Sequence, residues 1–296
     1  MKKVCVLLAA YNGERFISEQ IDSILKQEDV DIDIFISLDK SEDTSMKLLL
    51  DISSNYSNIK ILPYGDRFGG AAPNFYRLIL EAPIHEYDYV SLADQDDIWL
   101  PKKISSAIHE MERSKCDGYS SNVTAFWSDG RTSLVKKSEP QVEFDFLFES
   151  AGPGCTFVLS NDLCRDFKKC LGDNIENLKI EYHDWFIYAF ARLNGYKWLI
   201  SNESNMMYRQ HESNQIGANS GLKSIVKRFS LIRSGWYREQ IKLIIKSTPK
   251  SHVAIYPYIF EGGYREKLKL AFNFRKLRRN KKESYWLMLM IVLGCF

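Results

Sequence analysis

The chain has 296 residues, of which 45% are hydrophobic and 26% charged, with a formal net charge of +2. These proportions suit one large α/β domain with an appendage, or two small domains, and supply a sizeable core. The near-neutral balance gives no argument for a nucleic-acid partner, although basic residues crowd the last third. Six cysteines (Cys5, Cys116, Cys155, Cys164, Cys170 and Cys295) form no CxxC pair and no metal-finger spacing. Several sit in apolar surroundings, which points to free thiols in a reducing, cytoplasmic compartment. Met1-Lys2-Lys3 and the short apolar run after it do not have the form of a signal peptide.

Val4 to Ala10 is a continuous apolar run of strand length, the pattern of a strand buried on both faces. Tyr11-Asn12-Gly13 is a turn, and Arg15 to Lys26 reads as an amphipathic helix. Ile32 to Leu38 is a second strand with a polar exit at Asp39, and a helix follows from about Thr44 to Ser53. Ile59 to Leu62 is a third strand, and Gly69-Gly70 leads into a helix over Asn74 to Glu81. Tyr89 to Ala93 is a fourth strand that ends in Asp94-Gln95-Asp96-Asp97-Ile98-Trp99, three carboxylates within four positions. Carboxylates this crowded repel one another, and a divalent cation among them removes that cost. Alternation along an extended chain predicts Asp94 and Asp96 on one side. Asp97 reads as a cap of the next helix or an orienting group, and Pro101 suits that helix's first turn.

Strand and helix alternate through this half, so the sheet should be mostly parallel with helices on both faces. Ligands in such sheets bind outside the carboxyl ends of the strands, where Asn12, Asp39 and the acidic tetrad all fall. No GxGxxG and no GxxxxGK[ST] is present, so neither a dinucleotide fingerprint nor a phosphate loop is expected.

The middle is less regular. Asp117 to Trp127 reads as strand, with Asp129-Gly130 as a hairpin turn. An aromatic cluster at 144–148 precedes Gly152-Pro153-Gly154, where backbone amides could approach a ligand or simply turn. Phe157 to Leu159 is a strand, and Asn161 or Asp162 is the expected cap of the helix that follows. A further helix opens at Glu181-Tyr182-His183-Asp184-Trp185, and Trp198 to Ile200 is a late strand. From Ser220 the character changes: a basic amphipathic helix over Ile225 to Ile245, a cationic stretch over Lys267 to Lys282, and an apolar end from Tyr285. That tail is too short to span a bilayer. Two readings stand for it: lying in an anionic membrane interface, or packing on its own domain or a second copy.

Tyr11-Asn12, Asp39, the Asp94–Trp99 tetrad, His183-Asp184-Trp185 and Tyr208-Arg209-Gln210-His211, in that order, resemble family 2 glycosyltransferases of the GT-A fold over about residues 2 to 219. The DQDD-with-Trp form resembles the rhamnosyltransferase-like branch that builds bacterial O-antigen and capsule. The family commonly has two adjacent acids followed by Gly-Ser at the second strand's exit; here Leu38-Asp39-Lys40-Ser41 lacks the first acid and the glycine.

The resemblance implies an inverting, metal-dependent transferase with a GT-A domain over 1–219 and a mainly helical extension over 220–296. The donor would be a dTDP- or UDP-sugar carrying rhamnose or a hexose, and the acceptor a saccharide on a lipid carrier. It implies work at the inner face of the cell membrane, with a homodimer as a further partner state. Asp39 would accept the N3–H of uracil or thymine, with Tyr11 and Asn12 flooring the base pocket. Asp96 is the expected ligand to Mn²⁺ or Mg²⁺, with Asp94 near the ribose or donor sugar and His211 as a second ligand. Arg209 would face the diphosphate, and Asp184 would be the general base. Trp185 and Gly154 would meet the sugar or acceptor, and Trp99 reads as sugar platform or core. Two other readings compete: a non-catalytic sugar-nucleotide-binding protein of this fold, and a nucleotidyltransferase, which would normally open on a Gly- and Arg-rich phosphate loop.

Overall fold

The computed structural model of the chain describes residues 1–174, 178–211, 234–248, 255–260 and 263–296. Strand β1 (Lys2–Ala10) is apolar from Val4 because both its faces are covered, and Val4 to Leu8 have no exposed surface. It lies between two parallel partners, β2 (Val30–Leu38) and β4 (Tyr89–Ala93), and β3 (Ile59–Ile61) extends the sheet beyond β2. Helices α1 (Ile17–Leu25), α2 (Ser45–Ser53) and α3 (Ala71–Glu81) make the crossovers that parallel pairing requires.

The acidic tetrad leads into a two-residue strand β5 (Ile98–Trp99) and helix α4 (Lys103–Ser114). Then come β6 (Gly118–Ser121), β7 (Val123–Phe126), β8 (Thr132–Val135), β9 (Val158–Ser160), α5 (Asn161–Asp173), α6 (His183–Leu193), β10 (Trp198–Ser201) and β11 (Met206–Arg209). The main sheet has the order β10-β6-β9-β4-β1-β2-β3, mostly parallel, with β9 running antiparallel to both its neighbours. A second sheet has the order β5-β11-β7-β8.

Three local expectations change. The single strand expected over 117–127 breaks at Asn122, where the chain leaves the main sheet for the second one. The Asn122 amide holds that crossing, donating to the Asn202 carbonyl at 2.9 Å and accepting from the Lys137 and Ser138 N–H groups at 2.6 and 3.0 Å. Helix α5 is capped by Ser160, whose hydroxyl accepts from the Leu163 N–H, and not by Asn161 or Asp162. Ile98-Trp99 and Met206–Arg209 pair as antiparallel strands too short for a periodicity to register.

The C-terminal part contributes α7 (Trp236–Lys246), α8 (Tyr256–Phe260), α9 (Tyr264–Phe272) and α10 (Lys281–Val292). The expected domain boundary at 219/220, the stretch Gln215 to Asn219 and the start of the helix read from Ile225 lie outside the described residues. Ile241, Ile244, Leu270, Leu287 and Ile291 join the same apolar core as Phe75, Phe186 and Trp198 of the first part. Burial of one face of α10 is therefore intramolecular. Its other face is bare: Tyr285, Trp286, Leu289, Val292 and Leu293 are exposed, Trp286 at 65%. No described helix is long and apolar enough to cross a membrane.

Candidate active site

The carboxyl ends of β1, β2 and β4 meet through side chains that replace missing ladder partners. Asn12 stands in the left-handed region (φ 46°), and its side-chain oxygen accepts the Glu42 N–H at 2.9 Å. Gln95, inside the tetrad, pairs twice with the Tyr11 backbone, accepting its N–H at 2.8 Å and donating to its carbonyl at 2.9 Å. Any Cβ at position 13 would meet the Gln95 amide oxygen at 2.5 Å, so the close approach needs Gly13. The Tyr11 ring is left exposed. Asn74, buried in α3, donates to the Ala10 and Ser37 carbonyls and ties the two strand ends together. An asparagine in an otherwise apolar helix face was the available signal for that role.

Asp39 is buried, and its carboxylate accepts the N–H groups of Lys40, Phe68 and Gly69 at 2.8, 2.8 and 2.9 Å. Its acceptor capacity is about four sites, so roughly one remains for a ligand. The first duty of Asp39 is to hold the 63–70 segment over the sheet. Arg77 supports the same segment by donating to the Pro63 carbonyl at 2.6 Å and lying under the Phe68 ring.

The tetrad departs from the expected alternation because the chain bends at Gln95 and Asp96. Asp94 and Asp97, not Asp94 and Asp96, converge, and with the Cys155 thiol their ligating atoms lie within 4.8 Å of one another. Asp97 is neither exposed nor a helix cap. It is 1% exposed, its Oδ1 accepts the Arg209 N–H at 3.1 Å, and its Oδ2 has no hydrogen-bond partner among the described residues. Asp96 turns the other way, its Oδ2 lying 2.6 Å from His211 Nε2. Pairing of β11 with β5, Met206 opposite Trp99, is what carries Arg209 and His211 back to the tetrad. The Arg209 guanidinium lies between the rings of Phe16 and Phe126, donates to the Asp96 carbonyl at 2.8 Å and pairs with Glu19.

Burial, followed by the charges of Asp96 and Asp184, pushes the Asp94 carboxyl up to about 7. Burial, followed by the charges of Asp96 and Asp94, holds Asp97 well above the usual carboxylate range. An orphaned buried carboxylate oxygen beside mutually repelling acids is a donor set that fits a hard divalent cation. Asp94 and Asp97 are the residues whose ligating atoms converge to hold one, and Asp96, the expected ligand, would have to turn from His211 to join them.

Asp184 opens helix α6, and the Gly154-Cys155 segment joins it to the tetrad. A Cβ on Gly154 would stand 3.4 Å from the Asp184 Cβ and 2.5 Å from His183 Nε2, while the next residue puts its thiol among Asp94 and Asp97. Gly154 is thus needed for close packing. Burial pushes the Asp184 carboxyl up to about 6, against the hydrogen bond from the Trp185 N–H that pulls it down. His183 stacks on Phe75 at 4.1 Å, and burial pushes its imidazole down to about 3, so it is neutral near pH 7.

Neither expected indole can stack on a sugar. Trp99 is 3% exposed and its ring is covered by the Lys103 ammonium at 3.6 Å. Trp185 is 5% exposed, donates to the Phe146 carbonyl at 2.9 Å and stacks on Tyr237 of α7. Both are core residues, because their large apolar surfaces fill space on the inner side of their elements. Sequence reasoning also missed Gln95, Asn74, Cys155 and Lys103. Gln95, Asn74 and Cys155 act through contacts distant in sequence, and only the spacing of Gln95 inside the tetrad carried a trace of it.

The fold and these clustered acids define a GT-A nucleotide-sugar transferase site, and the chain matches glycosyl transferase family 2 over residues 5–158. It belongs to that family. It is 43% identical over 291 residues, 98% of this chain and 100% of the relative, to the dTDP-rhamnosyl transferase RfbG of Shigella flexneri. It is 26% identical over 79% of this chain and 87% of the relative to WfaP of Escherichia coli, a UDP-Glc:alpha-D-GlcNAc-diphosphoundecaprenol beta-1,3-glucosyltransferase. Among solved structures it superposes on S. aureus TarS residues 1–349, in complex with UDP-GlcNAc, with TM-score 0.61, 14% identity, and coverage of 99% of this chain and 81% of that one. The protein is a glycosyltransferase that uses nucleotide sugars. Enzymes of this family and fold typically depend on a divalent metal.

Proposed function

We propose that the protein transfers rhamnose from dTDP-rhamnose, with inversion, to a lipid-linked saccharide of a growing surface polysaccharide such as O-antigen. Similarity over the whole chain to a transferase named for dTDP-rhamnose supports the donor. Acceptors named as diphosphoundecaprenol-linked in two further relatives support the lipid carrier. The observation that supports the mechanism is the Gly154-Cys155 segment, which packs against Asp184 at one residue and offers its thiol among Asp94 and Asp97 at the next.

In this reading the base lies near Tyr11 and Asn12, with the last acceptor position of Asp39 for its N3–H. Asp94 orients the ribose or sugar, and Arg209 swings from Glu19 toward the diphosphate. Asp96, with Asp94, Asp97 and His211 nearby, would hold Mn²⁺ or Mg²⁺, which would supply stabilisation of the diphosphate charge when bound. The acceptor hydroxyl loses its proton to Asp184 as its oxygen bonds to the anomeric carbon. The bond from that carbon to the diphosphate oxygen breaks, and its electron pair leaves with the dTDP. A carboxyl near 6 is mostly ionised at neutral pH and still basic enough to take that proton.

The protein would work at the inner face of the membrane. Phe272 is exposed as well, and Arg275, Lys276, Lys281 and Lys282 are near the bare face of α10 in sequence, the pattern of a helix lying in an anionic interface. The test is a donor panel (dTDP-rhamnose, UDP-glucose, UDP-galactose, UDP-N-acetylglucosamine, GDP-mannose) with lipid-linked acceptor, with and without Mn²⁺. Metal-dependent transfer from dTDP-rhamnose with inverted anomeric configuration by NMR is the expected result. Retained configuration would sink the direct displacement, and donor binding without transfer would favour the non-catalytic reading.

A further inference from the structure

Cys155 is a fully buried free thiol to which the transfer reaction gives no part. Its place is set by backbone pairing. Strand β9 runs antiparallel to β4 with Ser91 opposite Val158, and the Leu92 N–H donates to the Phe157 carbonyl at 3.2 Å just beyond. Continued past the strand ends, that register sets residue 155 opposite residue 94. The turn Gly154–Thr156 that carries the thiol is pinned on both sides. The Thr156 N–H and hydroxyl donate to the Pro153 carbonyl at 3.0 and 2.7 Å, and Gly154 packs against His183 and Asp184. Asp97 is held separately, through the Arg209 N–H of β11. Two carboxylates and a thiol thereby bring their ligating atoms within 4.8 Å of one another.

We propose that Asp94, Asp97 and Cys155 form a site for a thiophilic divalent ion of the Zn²⁺ class, with Cys155 bound as the thiolate. Mg²⁺ takes oxygen ligands, and carboxylate and water suit Mn²⁺, whereas a thiolate selects Zn²⁺ and similar ions. Zn²⁺ is four-coordinate with bonds of about 2.0–2.3 Å, so the ligands of one ion stand roughly 3.5 Å apart, which small side-chain movements reach here. Three protein ligands leave the fourth position to water, and Asp94, only half-buried, gives the ion its way in. Asp97 Oδ2 is the second sign of a ligand: it is buried, and among the described residues nothing hydrogen-bonds it. The Lys103 ammonium does not neutralise the cluster. It donates to the Ser91 hydroxyl at 3.5 Å, lies over the Trp99 ring at 3.6 Å, and makes no ion pair with Asp94 or Asp97 among the described residues. When the ion binds, the S–H bond breaks, the proton leaves to solvent and the sulfur electron pair goes to the metal. The site needs neither Asp96 nor a donor sugar, so it stands apart from the hard-ion reading of the tetrad. An ion there would compete with Mn²⁺ or Mg²⁺ for Asp94 and Asp97.

The experiment uses the full chain without nucleotide. Zn²⁺ binding is measured by calorimetry, and Co²⁺ serves as a spectroscopic probe whose thiolate charge-transfer band reports a metal–sulfur bond. The wild type should bind Zn²⁺ and show the band. Cys155→Ser should lose the band and about a hundredfold in Zn²⁺ affinity, the upper end of what losing even a supporting partner costs. Its affinity for Mn²⁺ should change far less, because a hydroxyl is an oxygen ligand. Asp97→Asn should weaken Zn²⁺ binding as well. Replacing Cys116, Cys170 and Cys295 together by Ser removes the three half-buried thiols and should keep both band and affinity. A wild type with no thiolate band, or a band carried by those three thiols in place of Cys155, would overturn the proposal. So would unchanged Zn²⁺ affinity in Asp97→Asn, which keeps the test decisive if Cys155→Ser does not fold. No donor is present in these measurements, so failure of the rhamnose assignment and failure of this site are told apart.

Discussion

Asp145 and Asp97 are both fully buried carboxylates, and the protein treats them in opposite ways. Asp145 accepts from the Tyr188 hydroxyl and pairs with Arg192 and Arg279, so each of its oxygens faces a donor. Asp97 accepts one backbone N–H, keeps Oδ2 without a hydrogen-bond partner among the described residues, and lies among Asp94, Asp96 and the Cys155 thiol. A buried charge with its partners in place holds elements together; a buried charge left short of partners awaits a ligand. Asp39 falls between them, with three backbone donors and about one acceptor position to spare.

The sharpest test lies at the third under-compensated acid. Asp184→Asn should cost about 10²–10⁴-fold in kcat with donor binding unchanged, because a base acts in the transition state and not in ground-state binding. Near-wild-type turnover in steady-state assays would remove Asp184 from the role and make Glu181 the next candidate.

The comparison itself is tested by paired substitutions. Asp145→Ala leaves two arginines buried without their acid and should destabilise by about 3–5 kcal/mol in denaturant unfolding. Asp97→Asn should leave Tm at or above wild type, because an amide relieves repulsion among the acids, while metal-dependent dTDP binding by calorimetry is lost. Equal destabilisation by the two would break the distinction. The sign follows from the raised carboxyl: a group whose folded pKa lies above its unfolded value favours folding when protonated, and that contribution is lost as pH rises.

A smaller effect is expected in the pH profile. The base must be ionised, so kcat should rise with pH through about 6 and then level, the midpoint belonging to Asp184. A profile flat down to pH 5 would contradict the assignment. Smallest in energy is the bare face of α10. Replacing exposed Trp286 and Leu289 by Glu should abolish co-sedimentation with anionic vesicles and leave the melt unchanged, since neither side chain is in the core. Equal sedimentation of variant and wild type would leave that face to another partner.

The sequence by itself determined the parallel β–α half, because runs such as Val4–Ala10 and Ile32–Leu38 carry their burial in local pattern. It also singled out Asp39, the tetrad and Asp184 as the candidate acids, through residue types at strand exits and a helix start and their resemblance to a known family. It could not decide how those acids are partnered. The bend at Gln95 that turns Asp96 toward His211 and Asp97 toward Cys155 depends on pairing across the fold, as does the burial of Trp185 against Tyr237. The reach of Arg279 to Ser150 spans 129 positions of chain. Periodicity reports which face of an element is covered, and not by what; contacts between distant segments are settled only when the core closes.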